Sequence, residues 1–305
     1  MKWVALIGGP LGVLLSVVLG FGVGWLSGWS TAQSLAIGAA VAVASTMVLS
    51  RLLMDRGELQ SEHGRIMIGI TLVEDFAVVA LTVLLPSLGT TDKSQVLALG
   101  IGFGKGLLIL APVTLVAYKL APALMAKVAA TKNDELYLLV ALALGFATAA
   151  LTEAVGLSLA LGAFLAGVTI SGSEQAQETL TRVLPLRDAF VALFFVTVGA
   201  LIDPRALIAN PRLLAEILGL VVVGKFVIWT AVVWLFRYPL RSAVLVAVGL
   251  TQIGEFSYVL IRVARDHHLV TNDVYNAVLA ASLLSILINA ALMRLADRGQ
   301  AAKYA

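Results

Sequence analysis

Gly249-Leu250-Thr251-Gln252-Ile253-Gly254-Glu255-Phe256 decides how this chain folds. Two glycines, a threonine, a glutamine and a carboxylate crowd into an apolar segment running from about residue 242 to 261. An ionisable group deep in a bilayer is costly and ordinarily faces a cavity or a partner. An unbroken span gains nothing from such a cluster. A helix interrupted at mid-depth does, because its freed carbonyls, helix ends and side-chain oxygens can coordinate an ion there. The stretch predicts a broken transmembrane helix, with Thr251, Gln252 and Glu255 lining the break.

The rest of the chain has the composition that such a helix needs around it. Of 305 residues, 60% are apolar and 13% charged, with a mean hydropathy of +0.98. Soluble globular domains average roughly 45–50% apolar and about 25% charged. A soluble enzyme, a secreted protein and a disordered tail are thereby excluded. Hydropathy marks ten candidate spans, at about 3–24, 35–52, 66–88, 96–118, 135–153, 157–170, 188–202, 213–236, 242–261 and 274–293. At about 20 residues each, ten spans leave short loops and no room for a soluble domain. The sixth and seventh are short for a hydrocarbon layer about 30 Å thick. No small-residue cleavage site follows the first apolar run, which reads as a span and not a signal peptide.

Loop charges orient the chain. Lys2, Arg51, Arg56, Arg65, Lys119, Lys127, Lys132, Arg182, Arg187, Arg237, Arg241, Arg294, Arg298 and Lys303 fall on one side. Only Lys93, Arg205, Arg212, Arg262 and Arg265 fall on the other. Such a bias in short loops places both termini in the cytoplasm. With no cysteine there is no disulfide or thiolate ligand, and His63, His267 and His268 are too peripheral for a metal cage.

Four charges sit where a span should have none. Glu74 and Asp75 lie in Ile70-Thr71-Leu72-Val73-Glu74-Asp75-Phe76-Ala77-Val78-Val79, Lys225 in Val222-Val223-Gly224-Lys225-Phe226-Val227, and Glu255 in the stretch quoted first. Ion pairs that merely join helices are the blander account, and a weak one, since a buried pair seldom adds net stability over apolar packing. Two adjacent carboxylates and a lysine that compete for protons and cations make a proton or ion site. Lys105 reads equally well as a snorkelling or a functional lysine, while Glu153 and Glu216, near span ends, read as interfacial. His267-His268 reads as a solvated loop pair.

In span two, Ala44-Ser45-Thr46-Met47 puts two hydroxyls at mid-depth, so Ser45 and Thr46 mark a second interruption. Spans one to three and eight to ten then pair as an inverted repeat, each trio polar-interrupted in its middle member. The decoys are weaker. Gly219 to Phe226 nearly spells a phosphate-binding loop, but Phe226 replaces the required Ser or Thr and no strand precedes it. The glycines at 20–28 and 100–106 suit close helix packing. Nothing calls for an ATP, metal or redox cofactor, an enzyme's catalytic set or nucleic acid.

Several stretches together resemble the Kef-type branch of the monovalent cation:proton antiporters. They are Ser45-Thr46 with Val48-Leu49; Arg56-Gly57-Glu58-Leu59; Glu74-Asp75; Gly156-Leu157-Ser158 with Leu161 to Gly167; Pro185 with Leu193 to Gly199; Lys225; and Gly249 to Phe256. They occur in family order over nearly the whole chain. The resemblance implies an all-α sodium/proton-antiporter fold with a mobile core and a dimerising panel. The core would be residues of about 1–88 and 213–294, with linker and partial panel at about 96–202, all within a single transmembrane domain. It implies K+ or Na+ exchanged for H+, an integral protein of a bacterial inner membrane, and a homodimer if the panel is complete. By likeness Asp75 is the alternating cation and proton ligand, Lys225 the membrane-embedded lysine beside it, and Thr46, Gln252 and Glu255 lie on crossed broken helices. Relatives of this type usually carry Gln where this chain has Glu74. They also have about three more spans before this chain's first and a soluble nucleotide-binding domain after its last, so the chain reads as a fragment or a shortened product. The rival readings are a partner-dependent, non-transporting membrane subunit and a sodium-coupled symporter of organic anions.

Overall fold

The computed structural model describes residues 3–89, 120–154, 159–171, 176–201 and 210–301. Among them all regular structure is helical. The chain divides into two units, residues 1–89 with 199–305, and residues 90–198.

The first unit holds two trios of the same build. In one, α1 (Val4–Leu26) is followed by α2 (Thr31–Ala42), α3 (Thr46–Asp55) and α4 (Glu62–Leu84). The second unit contributes α5 (Leu120–Ala130), α6 (Asp134–Ala154), α7 (Leu159–Ser171) and all but the last three residues of α8 (Ala176–Leu201). The other trio is α9 (Pro211–Leu235), α10 (Leu240–Leu250), α11 (Glu255–Asp266) and α12 (Asn272–Ala301). In each trio the middle span is two half-helices, α2 with α3 and α10 with α11. The second pair bends by 53° at its break.

Local chemistry sets the helix ends. Ser30, Ser45 and Ser61 are N-caps whose hydroxyls accept from the N–H groups of Gln33, Val48 and Gly64 at 3.0–3.2 Å. Pro211 opens α9, where its missing N–H costs nothing. After α3, Gly57 takes φ +65°. Its N–H donates to the Met54 carbonyl at 3.0 Å and that of Glu58 to Leu53 at 2.9 Å, the paired bonds of a glycine-closed helix end. In that turn Arg56 donates to Glu58 at 2.9 Å and to the Met293 carbonyl at 2.9 Å, which ties the loop to α12. Burial works to raise the Glu58 carboxyl, but hydrogen bonds from Arg56 and His63 outweigh it and hold the group below its ordinary value.

The distribution of polarity is that of a membrane protein. Trp25 is 73% exposed and Leu287 68%, while Glu74, Lys225, Gln252 and Asn289 are wholly buried. Water would invert this arrangement, whereas lipid favours it. Among the described residues five helices are long and apolar enough to cross a membrane, or six with the bent pair as one span. The chain is a polytopic α-helical membrane protein. The expected span at 96–118 lies outside the described residues. Residues 120–130, read from sequence as part of a charged connection, form α5, as the run of Ala, Leu and Met there favours. Its Met125 and Val128 pack with Tyr137 and Ala141 of α6. The seventh span starts earlier than expected, at Ala176, because Arg182 satisfies Glu178 and Asp134 and stacks on Tyr137.

In the first unit, α1 and α2 touch backbone to backbone. A Cβ on Gly20 would lie 2.5 Å from the Gly38 Cα, whereas one on Gly22 would meet nothing within 4 Å. Gly20→Ala is expected to lose stability, since an overpacking cost of about 1–3 kcal/mol exceeds a helix-propensity gain of at most about 1 kcal/mol. Gly22→Ala collects the gain alone. Melting temperatures in detergent check this, with Gly20→Ala below the unmodified protein and Gly22→Ala at or above it.

Candidate ion-binding site

Residues 43–45 and 251–254 leave their helices, and the two breaks meet. Thr251 ends α10 with its hydroxyl turned back to the Val248 carbonyl at 2.7 Å. Gly254, at φ −87° and ψ 170°, begins α11. In the first break Val43 is extended and Ser45 caps α3. The Gly254 N–H donates to the Val43 carbonyl at 3.0 Å. The Ser45 N–H donates to Gln252 Oε1 at 3.0 Å, and Gln252 Nε2 donates to the Ser45 carbonyl at 3.1 Å. One side-chain amide thus satisfies both backbone groups of Ser45. A Cβ at position 254 would stand 2.7 Å from the Ala44 carbonyl oxygen, so the approach requires glycine.

The third helix of each trio braces its own break. Glu74 of α4 accepts from the Ala44 N–H at 2.8 Å through Oε2, and Ser285 of α12 accepts from the Ile253 N–H at 3.2 Å. Glu74 is wholly buried and its Oε1 has no hydrogen-bond partner. Asp75, next along α4, is only half-buried. Thr46 donates to its Oδ2 at 3.1 Å, and Oδ1 has no hydrogen-bond partner. Glu255 accepts from the Ser45 hydroxyl and lies within electrostatic reach of Asp75.

Lys225 enters from α9, directly after the π-helical turn Leu220–Gly224. Its Nζ, fully buried, donates to the Gln252 carbonyl at 3.0 Å. Glu74 is within electrostatic reach, but among the described residues no ion pair joins Lys225 to Glu74 or Asp75. The hydrogen-bond partner of Lys225 is the break's backbone.

The eight residues singled out from sequence therefore lie at or beside one crossing. Asp75, Thr46 and Glu255 form its half-exposed side; Glu74, Lys225, Gln252, Ser45 and Thr251 form its buried side. Chemically this offers an oxygen-rich place for a proton or a small cation, with a buried, unpartnered carboxylate oxygen on each of Asp75 and Glu74. Among the described residues no three His, Cys, Asp or Glu side chains are placed to hold a metal ion. Lys105 lies outside the described residues, and Glu216 pairs with Arg212 at 2.8 Å on α9. Sequence reasoning passed over Ser285 and Asn289. The signal was their spacing, with Ser282, at three and four residues along an apolar span, which puts all three on one helix face.

The family model described as "Sodium/hydrogen exchanger, transmembrane" matches residues 1–294. This chain belongs to the sodium/hydrogen exchanger family. It is 39% identical over 266 residues to the cation/proton antiporter YbaL of Escherichia coli (strain K12), covering 84% of this chain and 48% of that one. It is 37% identical over 262 residues to K(+) efflux antiporter 4 of Arabidopsis thaliana (83% and 44%) and 36% over 298 residues to K(+) efflux antiporter 5 of that plant (96% and 52%). The chain spans about half the length of these curated relatives. The family name is that of a transporter.

Lys225→Met should lower stability, because it leaves the buried Gln252 carbonyl without its donor, a cost of about 1–3 kcal/mol, and takes away the cation within electrostatic reach of Glu74. Adding Glu74→Gln should recover part of that loss, because Gln keeps an acceptor for the Ala44 N–H and carries no charge. Thermal unfolding of the two single variants and the double variant in detergent checks it. Strictly additive losses would show that the two groups do not interact.

Proposed function

We propose that this chain exchanges K+ or Na+ for H+ across a membrane, driven by the ion gradients and serving pH and cation homeostasis. The observation that carries the reading is the state of Asp75. It is half-buried, one carboxylate oxygen is held by Thr46, and the other is unpartnered where two interrupted helices meet. Such an oxygen takes a proton or a cation, and one carboxylate cannot be neutralised by both at once. Competition for Asp75 is then the exchange. Glu74 shares or tunes the load from the buried side. Lys225 supplies the competing positive charge, and Thr46, Ser45, Thr251, Gln252 and Glu255 shape the crossing.

Support comes also from the names of the similar proteins, which are cation/proton and K+ efflux antiporters. The distribution of basic residues supports cytoplasmic termini, in a bacterial inner membrane. We assign the ion-carrying core to about 1–88 and 213–294 and the linker and partial panel to about 96–202, with homodimerisation through a complete panel.

The test is purified protein in liposomes with a pH-sensitive dye inside. Cation-dependent proton flux is expected, and Asp75→Asn should abolish it while the protein stays inserted, because an amide neither binds the proton nor balances a cation. Flux in that variant within about twofold of the unmodified protein would remove Asp75 from the mechanism. Solute-dependent sodium uptake would indicate symport instead, and silence of the unmodified protein a partner-dependent subunit.

A further inference from the structure

Ser282, Ser285 and Asn289 line one face of α12, all wholly buried. The two serines serve the second break and its flank: Ser285 accepts from the Ile253 N–H, and Ser282 meets the Tyr258 hydroxyl at 2.6 Å. Asn289 reaches the end of the half-helix before the break. Its Nδ2 donates to the Val248 carbonyl, to the Gly249 carbonyl at 3.2 Å and to the Thr251 hydroxyl at 3.3 Å.

The last four carbonyls of a helix have no partner within it. At the end of α10 they are shut away from water, and the Asn289 amide supplies donors from another helix. The choice of asparagine has a cost that reveals its purpose. Oδ1 is buried without a hydrogen-bond partner, a penalty no apolar side chain at this position would incur. The opposite amide orientation would set Oδ1 against three oxygens, so the network fixes Nδ2 where it stands. What the position requires is the donors.

Their effect does not stop at Thr251. The next residue, Gln252, holds both backbone groups of Ser45 and receives Lys225 on its carbonyl; the residue after Ser45 is Thr46, the donor to Asp75. We propose that Asn289 is a positioning residue for the ion site, fixing the end of α10 so that Gln252 can hold the first break, and Thr46 with it, in register with Asp75. The same amide engages the Gly249 carbonyl, a helix end of the kind that can coordinate a cation, which leaves Asp75 as the place where the ion settles. The kinetic part of this inference rests on the antiport reading; the structural part does not.

The experiment compares Asn289→Ala, Asn289→Ser, which keeps one donor, and Met293→Ala, which removes buried packing from the same helix. Hydrogen–deuterium exchange of the full chain in detergent reads the breaks. Asn289→Ala should speed exchange at residues 43–46 and 251–254 by at least about tenfold, Asn289→Ser by less, and Met293→Ala not selectively. In liposomes Asn289→Ala should raise the apparent cation KM about fivefold with the maximal rate changed by less than about twofold. Faster exchange confined to the end of α10, with 43–46 unchanged, would overturn the proposal. So would an unaltered KM. If the unmodified chain shows no cation-dependent proton flux, the antiport reading falls, and exchange at 43–46 still decides the role of Asn289.

Discussion

A backbone N–H or C=O at hydrocarbon depth must be satisfied inside the protein, and breaking two helices there frees several of both. Gln252 resolves the difficulty by clasping both backbone groups of Ser45, with Gly254 bonded to Val43 alongside. Everything chemical at the site depends on that clasp. It satisfies backbone groups that two interrupted helices set free, and it brings Thr46 and Glu255, the first residues of α3 and α11, to one place. The glycine at 254 follows from the same constraint, since any side chain there would push Ala44 away.

The two trios meet this constraint in the same way up to one difference. Each third helix offers an oxygen to a freed N–H, but that oxygen is a carboxylate in Glu74 and a hydroxyl in Ser285. A change of charge at Glu74 alters the hydrogen bond that holds the first break, while α12 holds the second through a hydroxyl and an amide. The asymmetry lies in side chains on a shared backbone plan. The trio braced by neutral groups is also the one that carries the lysine.

Much of the crossing was legible because membranes make exceptions conspicuous. Glu74, Asp75, Lys225 and Glu255 stand out in apolar runs, and the clustering of Thr251, Gln252 and Gly254 marks an interruption whatever its partner. Ser45 was recognisable as a hydroxyl at mid-depth and proves to be the N-cap of α3. What sequence could not show was pairing across about 200 residues. Gln252 could have held an ion; it holds Ser45. Asn289 and Ser285, being uncharged, cost too little to draw notice in a hydropathy pattern, although their shared helix face was readable. The polar half of α8 was misplaced for a related reason. Arg182 looks like loop until Asp134, Glu178 and Tyr137 are seen around it.

The placement of Lys225 shows what the crossing gains from a lysine without an ion pair. A buried ammonium bound directly to a carboxylate would fix both groups in one geometry, and the desolvation of two ions would offset most of their attraction. On the Gln252 carbonyl the ammonium has a neutral acceptor, at a helix end whose dipole favours a cation. Its charge still reaches Glu74 through a medium of low dielectric. The lysine can therefore respond to the carboxylate's charge without moving onto it, and the same contact fastens α9 to the second break. An arginine would be a poor substitute there, since its planar fork seeks paired acceptors and the site presents one carbonyl.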